Sequence, residues 1–205
     1  RLDQLMIGTM LGLEEVGVYA LSVQMVSVLA IVIAPIQISI YPKMIELYNS
    51  NREIYYRNYR ALTGLVSWMA IIVILLSIMV APFVFNLVFS NSYANSLTIF
   101  NVQVVGTFFM YNAILRSCHF TLNKGAKVLV ISQIIAVGIN VVLNYILIPV
   151  YGIVGAAIAT IITQCSSLLL LNFFFRDGKK IFWIQLKSLN PRYILTASYF
   201  KEPRV

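Results

Sequence analysis

Charge is scarce in this 205-residue chain: only 11% of its residues are Asp, Glu, Lys or Arg, whereas 60% are hydrophobic. A soluble domain carries about 25% charged residues, so there is too little charge here to clothe a surface in water. Mean hydropathy is +0.86. Soluble enzymes and disordered chains are excluded, and an integral membrane protein is expected. Acids are scarcer still, 7 against 15 basic residues, for a net charge of +8. On a membrane protein that excess marks cytoplasmic loops rather than nucleic acid. Cysteine is limited to Cys118 and Cys165, with no C-x-x-C spacing, and His119 stands alone; neither a disulfide scaffold nor a metal site is expected. Period-two alternation is absent, which argues against a β-barrel. An initial Met is also lacking: Arg1-Leu2-Asp3-Gln4 enters apolar sequence at once, as expected of a chain cut from a longer one.

What the chain does have is long apolar runs. About 20 apolar residues cross roughly 30 Å of hydrocarbon, and segments 16–41, 62–89, 97–115, 128–150 and 153–175 reach or approach that length, with 1–12 as half a span. The loops alternate. Glu14 and Glu15 lie in a first loop without Lys or Arg, and the second holds Lys43, Arg52, Arg57 and Arg60. The third is uncharged, the fourth holds Arg116, Lys124 and Lys127, the fifth is uncharged, and the stretch from Arg176 to the end carries seven basic residues. The positive-inside rule therefore predicts six crossings, entered from the cytoplasm, with a cytoplasmic C-terminus. The expected fold is all-α and polytopic, with a transmembrane unit over 1–176 and a basic tail over 177–205. The second loop, with Tyr48, Tyr55, Tyr56 and Tyr59 among its arginines, reads as a short helix on the headgroups rather than a nucleic-acid groove.

Polar residues inside spans are costly and are functional candidates by default. Asp3 is the one acid placed in a span; its alternatives are a functional carboxylate or a helix-packing ion pair. Asn101, Val105, Phe109, Asn112 and Arg116 follow steps of four, four, three and four, which predicts one helical face. Such a face could line an aqueous cavity and hold an anionic head group; the competing reading is helix glue and a snorkelling Arg116. Gln133, Asn140 and Asn144 repeat the theme on the next helix, and Thr160, Thr163, Gln164 and Ser167 on the last. Pro35 and Pro82 permit kinks. Gly152, Gly155, Ala156, Ala157 and Ala159 open the last helix with small residues for close packing. No cluster of acids or bases suited to catalysis stands out, so an enzyme such as a membrane sugar polymerase or transferase is a weak reading.

Three segments resemble a known family. They are Arg1–Gly8 running into Leu11-Gly12-x-Glu14-Glu15-Val16-Gly17-Val18-Tyr19, then Asn140–Pro149, then Tyr151–Thr160. They resemble the polysaccharide exporters (O-antigen flippases) of the multidrug/oligosaccharidyl-lipid/polysaccharide exporter superfamily. The resemblance covers residues 1–176. It implies a six-helix C-terminal lobe of a MATE-like two-lobe transporter, with its own N-terminal lobe as partner and absent from this chain. The implied activity is flipping an undecaprenyl-diphosphate-linked oligosaccharide (an O-antigen, capsule or exopolysaccharide unit) across the bacterial inner membrane by alternating access. It needs no cofactor beyond an ion or proton gradient; its partners are the lipid-linked oligosaccharide, the phospholipid membrane and the polysaccharide polymerase machinery. The alternative is a multidrug or cation antiporter of the same superfamily. Under the first reading the pathway residues are Asp3, Arg116, Asn101, Asn112, Gln133, Asn140 and Asn144.

Overall fold

The computed structural model describes residues 2–89, 94–123, 125–168, 172 and 178–190. Arg1, Lys124, part of the third loop, the end of the last expected span and residues 191–205 lie outside them. The described chain is helical throughout: α1 (Leu2–Met10), α2 (Leu13–Val28), α3 (Ala30–Ser50), α4 (Arg52–Val88), α5 (Ala94–Gln103), α6 (Gly106–Leu122), α7 (Ala126–Leu168) and α8 (Gly178–Ser188). Among the described residues, four stretches are long and apolar enough to cross a membrane: Leu13–Ser50, Arg52–Val88, Asn95–Leu122 and Lys127–Leu168.

Breaks between helices have local causes. Pro35 has no N–H to offer the preceding turn, and its ring crowds the carbonyl four residues back. One turn earlier, α2 gives way to α3 through i→i−3 bonds, Leu29 N to Val26 O at 3.1 Å and Val32 N to Leu29 O at 3.1 Å. The Tyr111 hydroxyl of α6 donates to the same Leu29 carbonyl at 2.6 Å, fixing the bend. At Gly152, φ is +59° and ψ is −143°, a backbone region open to glycine alone. It divides α7 into two arms, 126–151 and 153–168, that fold back on each other. Gly155 lets them close: a Cβ there would sit 2.2 Å from the Leu147 carbonyl oxygen.

The second loop is corrected. Residues 42–61 are neither a loop nor a short surface helix, since α3 runs through to Ser50 and α4 starts at Arg52. Only Asn51 separates them, its side chain capping α4 by accepting from Glu53 N and Ile54 N at 3.0 Å each. At 1.5 Å per residue, the 37 residues of α4 span about 55 Å. That exceeds a hydrocarbon core of about 30 Å, so α3 and α4 project beyond it as a helical hairpin. The projection keeps its tyrosines inside the protein. Tyr48, Tyr55 and Tyr59 are buried against α6, and the Tyr55 hydroxyl shares a hydrogen bond of 2.8 Å with the Nδ1 of fully buried His119. Tyr48 also donates to Asn123. These rings are core, not an aromatic belt.

At the opposite end, the α7 hairpin closes over α1 and α2 through Ile7, Tyr19, Ile148, Ala156 and Ala157. Ser22 Oγ donates to Ser96 O at 2.7 Å, and Ser96 Oγ returns a bond to Val18 O at 3.0 Å, tying α2 to α5.

Candidate functional site: a carboxylate between four helices

Asp3 lies on the first turn of α1 and is half-buried. Its Oδ2 accepts a hydrogen bond from the Tyr19 hydroxyl of α2 at 2.8 Å. That hydroxyl is also 3.4 Å from Thr160 Oγ1 on the second arm of α7, and Gln103 of α5 lies beside it. The group therefore draws on four helices. Among the described residues Asp3 has a hydroxyl partner and no cationic one.

The register of the hairpin sets the depth. Leu11 at the end of α1 shares a cleft with Tyr151, Gly152 and Ile153, so this end of α1 lies level with the turn. Asp3 is eight residues before Leu11, Asn144 eight before Gly152, and Thr160 eight after it. All three thus sit about 12 Å below the hairpin turn, one turn beyond the apolar layer of Ile7, Ile148 and Ala156. Asn144 is fully buried; its Nδ2 donates to Asn140 Oδ1 at 3.0 Å, and its own Oδ1 has no partner within the protein. The Gln103 Oε1, Asn101 Oδ1, Thr163 Oγ1 and Gln164 Oε1 atoms are likewise buried and unpartnered. Gln164 packs over the kink between α5 and α6, where a Cβ on Gly106 would meet its Oε1 at 2.6 Å.

Buried oxygens that lack donors cost free energy, and they are ligands of the kind a proton or small hard cation seeks. No three His, Cys, Asp or Glu side chains meet among the described residues; the polar groups gathered at Asp3 are the Tyr19 hydroxyl, with Thr160 Oγ1 and Gln103 beside it. Tyr19 had no sequence signal, because a bent connection at Gly12, not helical spacing, brings it to Asp3. Thr160 stood on the polar face expected of the last helix.

The expected stripe on 101–116 does not form one lining. α5 ends at Gln103 and α6 begins at Gly106, the junction tightening through Val105 N to Val102 O at 3.3 Å and Thr107 N to Val104 O at 3.0 Å. Val105 is 43% exposed, while Asn112 is 1% exposed and Arg116 7%. Asn112 accepts from Ser67 Oγ at 3.0 Å and donates to Phe108 O at 2.9 Å. Arg116 turns inward: its Nη1 donates to the Ser167 carbonyl and lies 3.5 Å from Asn172 Oδ1, and its Nη2 donates to Ser167 Oγ at 3.4 Å. The guanidinium is thus occupied by the protein rather than offered to a head group. Gln133 is exposed on the first arm of α7, away from the Asp3 level, and Asn140 is half-buried. Of the expected pathway residues, the fold brings Asp3 and Asn144 to one level, leaves Asn140 one turn further from the hairpin turn, and sets Arg116 and Asn112 apart.

A second cleft, about 500 Å³, opens between α3 and α6 and is lined by Gln37, Tyr41, Ser117, Cys118 and Thr121. Its polar groups are uncharged.

No curated protein and no solved structure matches the chain. Residues 1–98, just under half of the 205, match a family described as "Polysaccharide biosynthesis protein"; this stretch holds Asp3 and Tyr19. By that match, and consistent with the resemblance carried by its motifs, this membrane chain is similar to the polysaccharide biosynthesis proteins.

Proposed function

We propose that the chain is one lobe of a flippase that moves an undecaprenyl-diphosphate-linked oligosaccharide across the bacterial inner membrane by alternating access. In this reading Asp3 carries the coupling proton or cation. The observation behind it is the carboxylate itself: an acid among long apolar helices, held by Tyr19 and without a cationic partner among the described residues. Intramembrane acids in such settings serve ion or proton pathways, and the unpartnered oxygen of Gln103, beside Tyr19, would add a ligand for a small ion. Binding there would tie α1 and α2 to the second arm of α7, so occupancy could bias one packing of the lobe over another. The C-terminus is cytoplasmic in this reading, and the second lobe completes the path.

The inward turn of Arg116 removes one argument for an anionic substrate, which keeps the cation antiporter as the second reading. One experiment separates them. The full-length protein is reconstituted in vesicles, and a gradient-driven rise in lectin-accessible lipid-linked glycan is measured beside efflux of a cationic dye. Wild type should flip glycan. Asp3→Asn should lose gradient-driven flipping on the order of tenfold or more at normal abundance, while Asp3→Glu retains part of it. Flipping by Asp3→Asn at the wild-type rate sinks the coupling role; dye efflux without glycan flipping hands the function to the antiporter.

A further inference from the structure

We infer that α8 is a membrane-surface helix that binds anionic phospholipid headgroups and is braced against the helix bundle through Arg116. The inference depends on the chain's membrane character and not on which substrate is carried.

The sequence of α8, Gly178-Lys179-Lys180-Ile181-Phe182-Trp183-Ile184-Gln185-Leu186-Lys187-Ser188, divides into three faces. Gly178, Ile181, Ile184 and Gln185 are buried, the isoleucines joining the core around Tyr55, Tyr59 and Leu62. Gly178 is obligatory in this docking, since a Cβ would sit 2.1 Å from the Asn172 carbonyl oxygen. At spacings of three, Trp183, Leu186 and Leu189 form a second row, 51%, 47% and 40% exposed. Beside it Lys180 and Lys187 form a third, with Lys179 exposed at the helix start. A helix already docked on its own core has no structural use for a further apolar row on its open side. An apolar row holding a Trp and flanked by lysines fits the boundary between acyl chains and negative headgroups.

Placement supports the same occupant. Lys180 Nζ lies 3.2 Å from the centroid of the Tyr56 ring, so α8 meets α4 just before Leu62, where the apolar run of α4 begins. This is the end of the fold that carries Lys43, Arg52, Arg57 and Arg60, the end that the positive-inside rule sets against the anionic leaflet. Lys187, exposed on the open side, can bury its stem and keep its ammonium at headgroup level.

The brace is a buried polar relay. Arg116 donates to the Ser167 carbonyl and reaches Asn172 Oδ1, and Asn172 Nδ2 donates to Gln185 Oε1 at 3.2 Å. It joins α6 to the inner face of α8, so the lipid-facing rows are held at a set orientation to the helices that bend at Leu29 and at residues 104–105. Arg116 is in this role a positioning residue for α8.

The test is hydrogen exchange of the full-length protein in nanodiscs of phosphatidylcholine alone or with phosphatidylglycerol added. Each lysine near an anionic surface is worth about a fivefold preference. Exchange over residues 178–190 should therefore slow on the order of tenfold or more with phosphatidylglycerol. The difference should vanish in high salt and in Lys179→Gln/Lys180→Gln/Lys187→Gln, with exchange over α4 and α6 unchanged as the check on folding. Arg116→Gln should weaken the lipid response although it leaves every lysine in place. Equal exchange in both lipids overturns the inference. So does a lipid response that survives salt and the triple substitution, or protection of α8 that appears only when a cytosolic protein is added.

Discussion

Arg116 shows how one side chain can be read in opposite ways before and after the fold is known. In sequence it stands at the end of an amide stripe beside basic neighbours; in the structure its Nη groups reach Ser167 and Asn172, while its buried Nε has no partner. Hydrogen bonds made by a charged group contribute about 1.5–3 kcal/mol each, and losing the donor leaves the Ser167 carbonyl short of a partner. Arg116→Gln should therefore lower the melting temperature of the purified full-length protein with no substrate present, by about 2–3 kcal/mol in stability. Arg116→Lys should fall between the two, since one ammonium cannot reproduce the fork. A residue that served only to capture a diphosphate would leave the substrate-free melting temperature untouched, and that result would return Arg116 to the substrate path. Asp3 was legible as an acid in an apolar run; its partner Tyr19 was not, because the two stand sixteen residues apart with a positive-φ glycine at Gly12 between them.

At the scale of elements, the α7 hairpin depends on two glycines in different ways: Gly152 supplies a backbone conformation, and Gly155 supplies space against Leu147. Gly138, on the first arm, has nothing within 4 Å of a Cβ position. Forcing a methyl against a backbone carbonyl costs about 1–3 kcal/mol, whereas Gly→Ala in an open helix interior gains up to about 1 kcal/mol. Gly155→Ala should thus lower the thermal aggregation midpoint of the full-length protein in detergent, and Gly138→Ala should hold or raise it. Equal behaviour of the two would mean that the arms do not close as described. The small residues of this segment announced close packing in the sequence; the partner they approach, their own preceding arm, follows only from the reversal at Gly152. The hairpin of α3 and α4 was legible as two apolar spans but not as one projecting unit. Arginines and a short polar run looked like a loop, yet arginine is a good helix former, and Asn51 interrupts the helix for one residue only.

Across the whole molecule, the basic and non-basic connections assign Asn51 to one side of the membrane and Gly152 to the other. An impermeant maleimide should label Tyr151→Cys on intact cells, where Tyr151 is exposed. Ser50→Cys and Lys179→Cys, also exposed, should react only after the membrane is opened. Labelling of Ser50→Cys and Tyr151→Cys from the same side would break the six-crossing order. Asn58, which the sequence placed in an open cytoplasmic loop, is no use as a reporter because it is buried in α4.

Hydropathy and charge are one-dimensional quantities, and what depends on them was decided by the sequence alone: a helical membrane chain, the places of its long apolar runs and the alternation of basic and non-basic connections. The motifs at Arg1–Tyr19, Asn140–Pro149 and Tyr151–Thr160 pointed to polysaccharide exporters, and residues 1–98 match a family described as "Polysaccharide biosynthesis protein". Which polar groups meet is a property of helix rotation, bends and depth, none of which hydropathy encodes. The bend at Leu29, the junction at 104–105 and the reversal at Gly152 turn Arg116 inward, separate Asn112 from the Asp3 level and bring Tyr19, Asn144 and Thr160 to it. The tertiary structure decided these because a polar atom among apolar helices takes the nearest partner in space, and that partner lies on another helix.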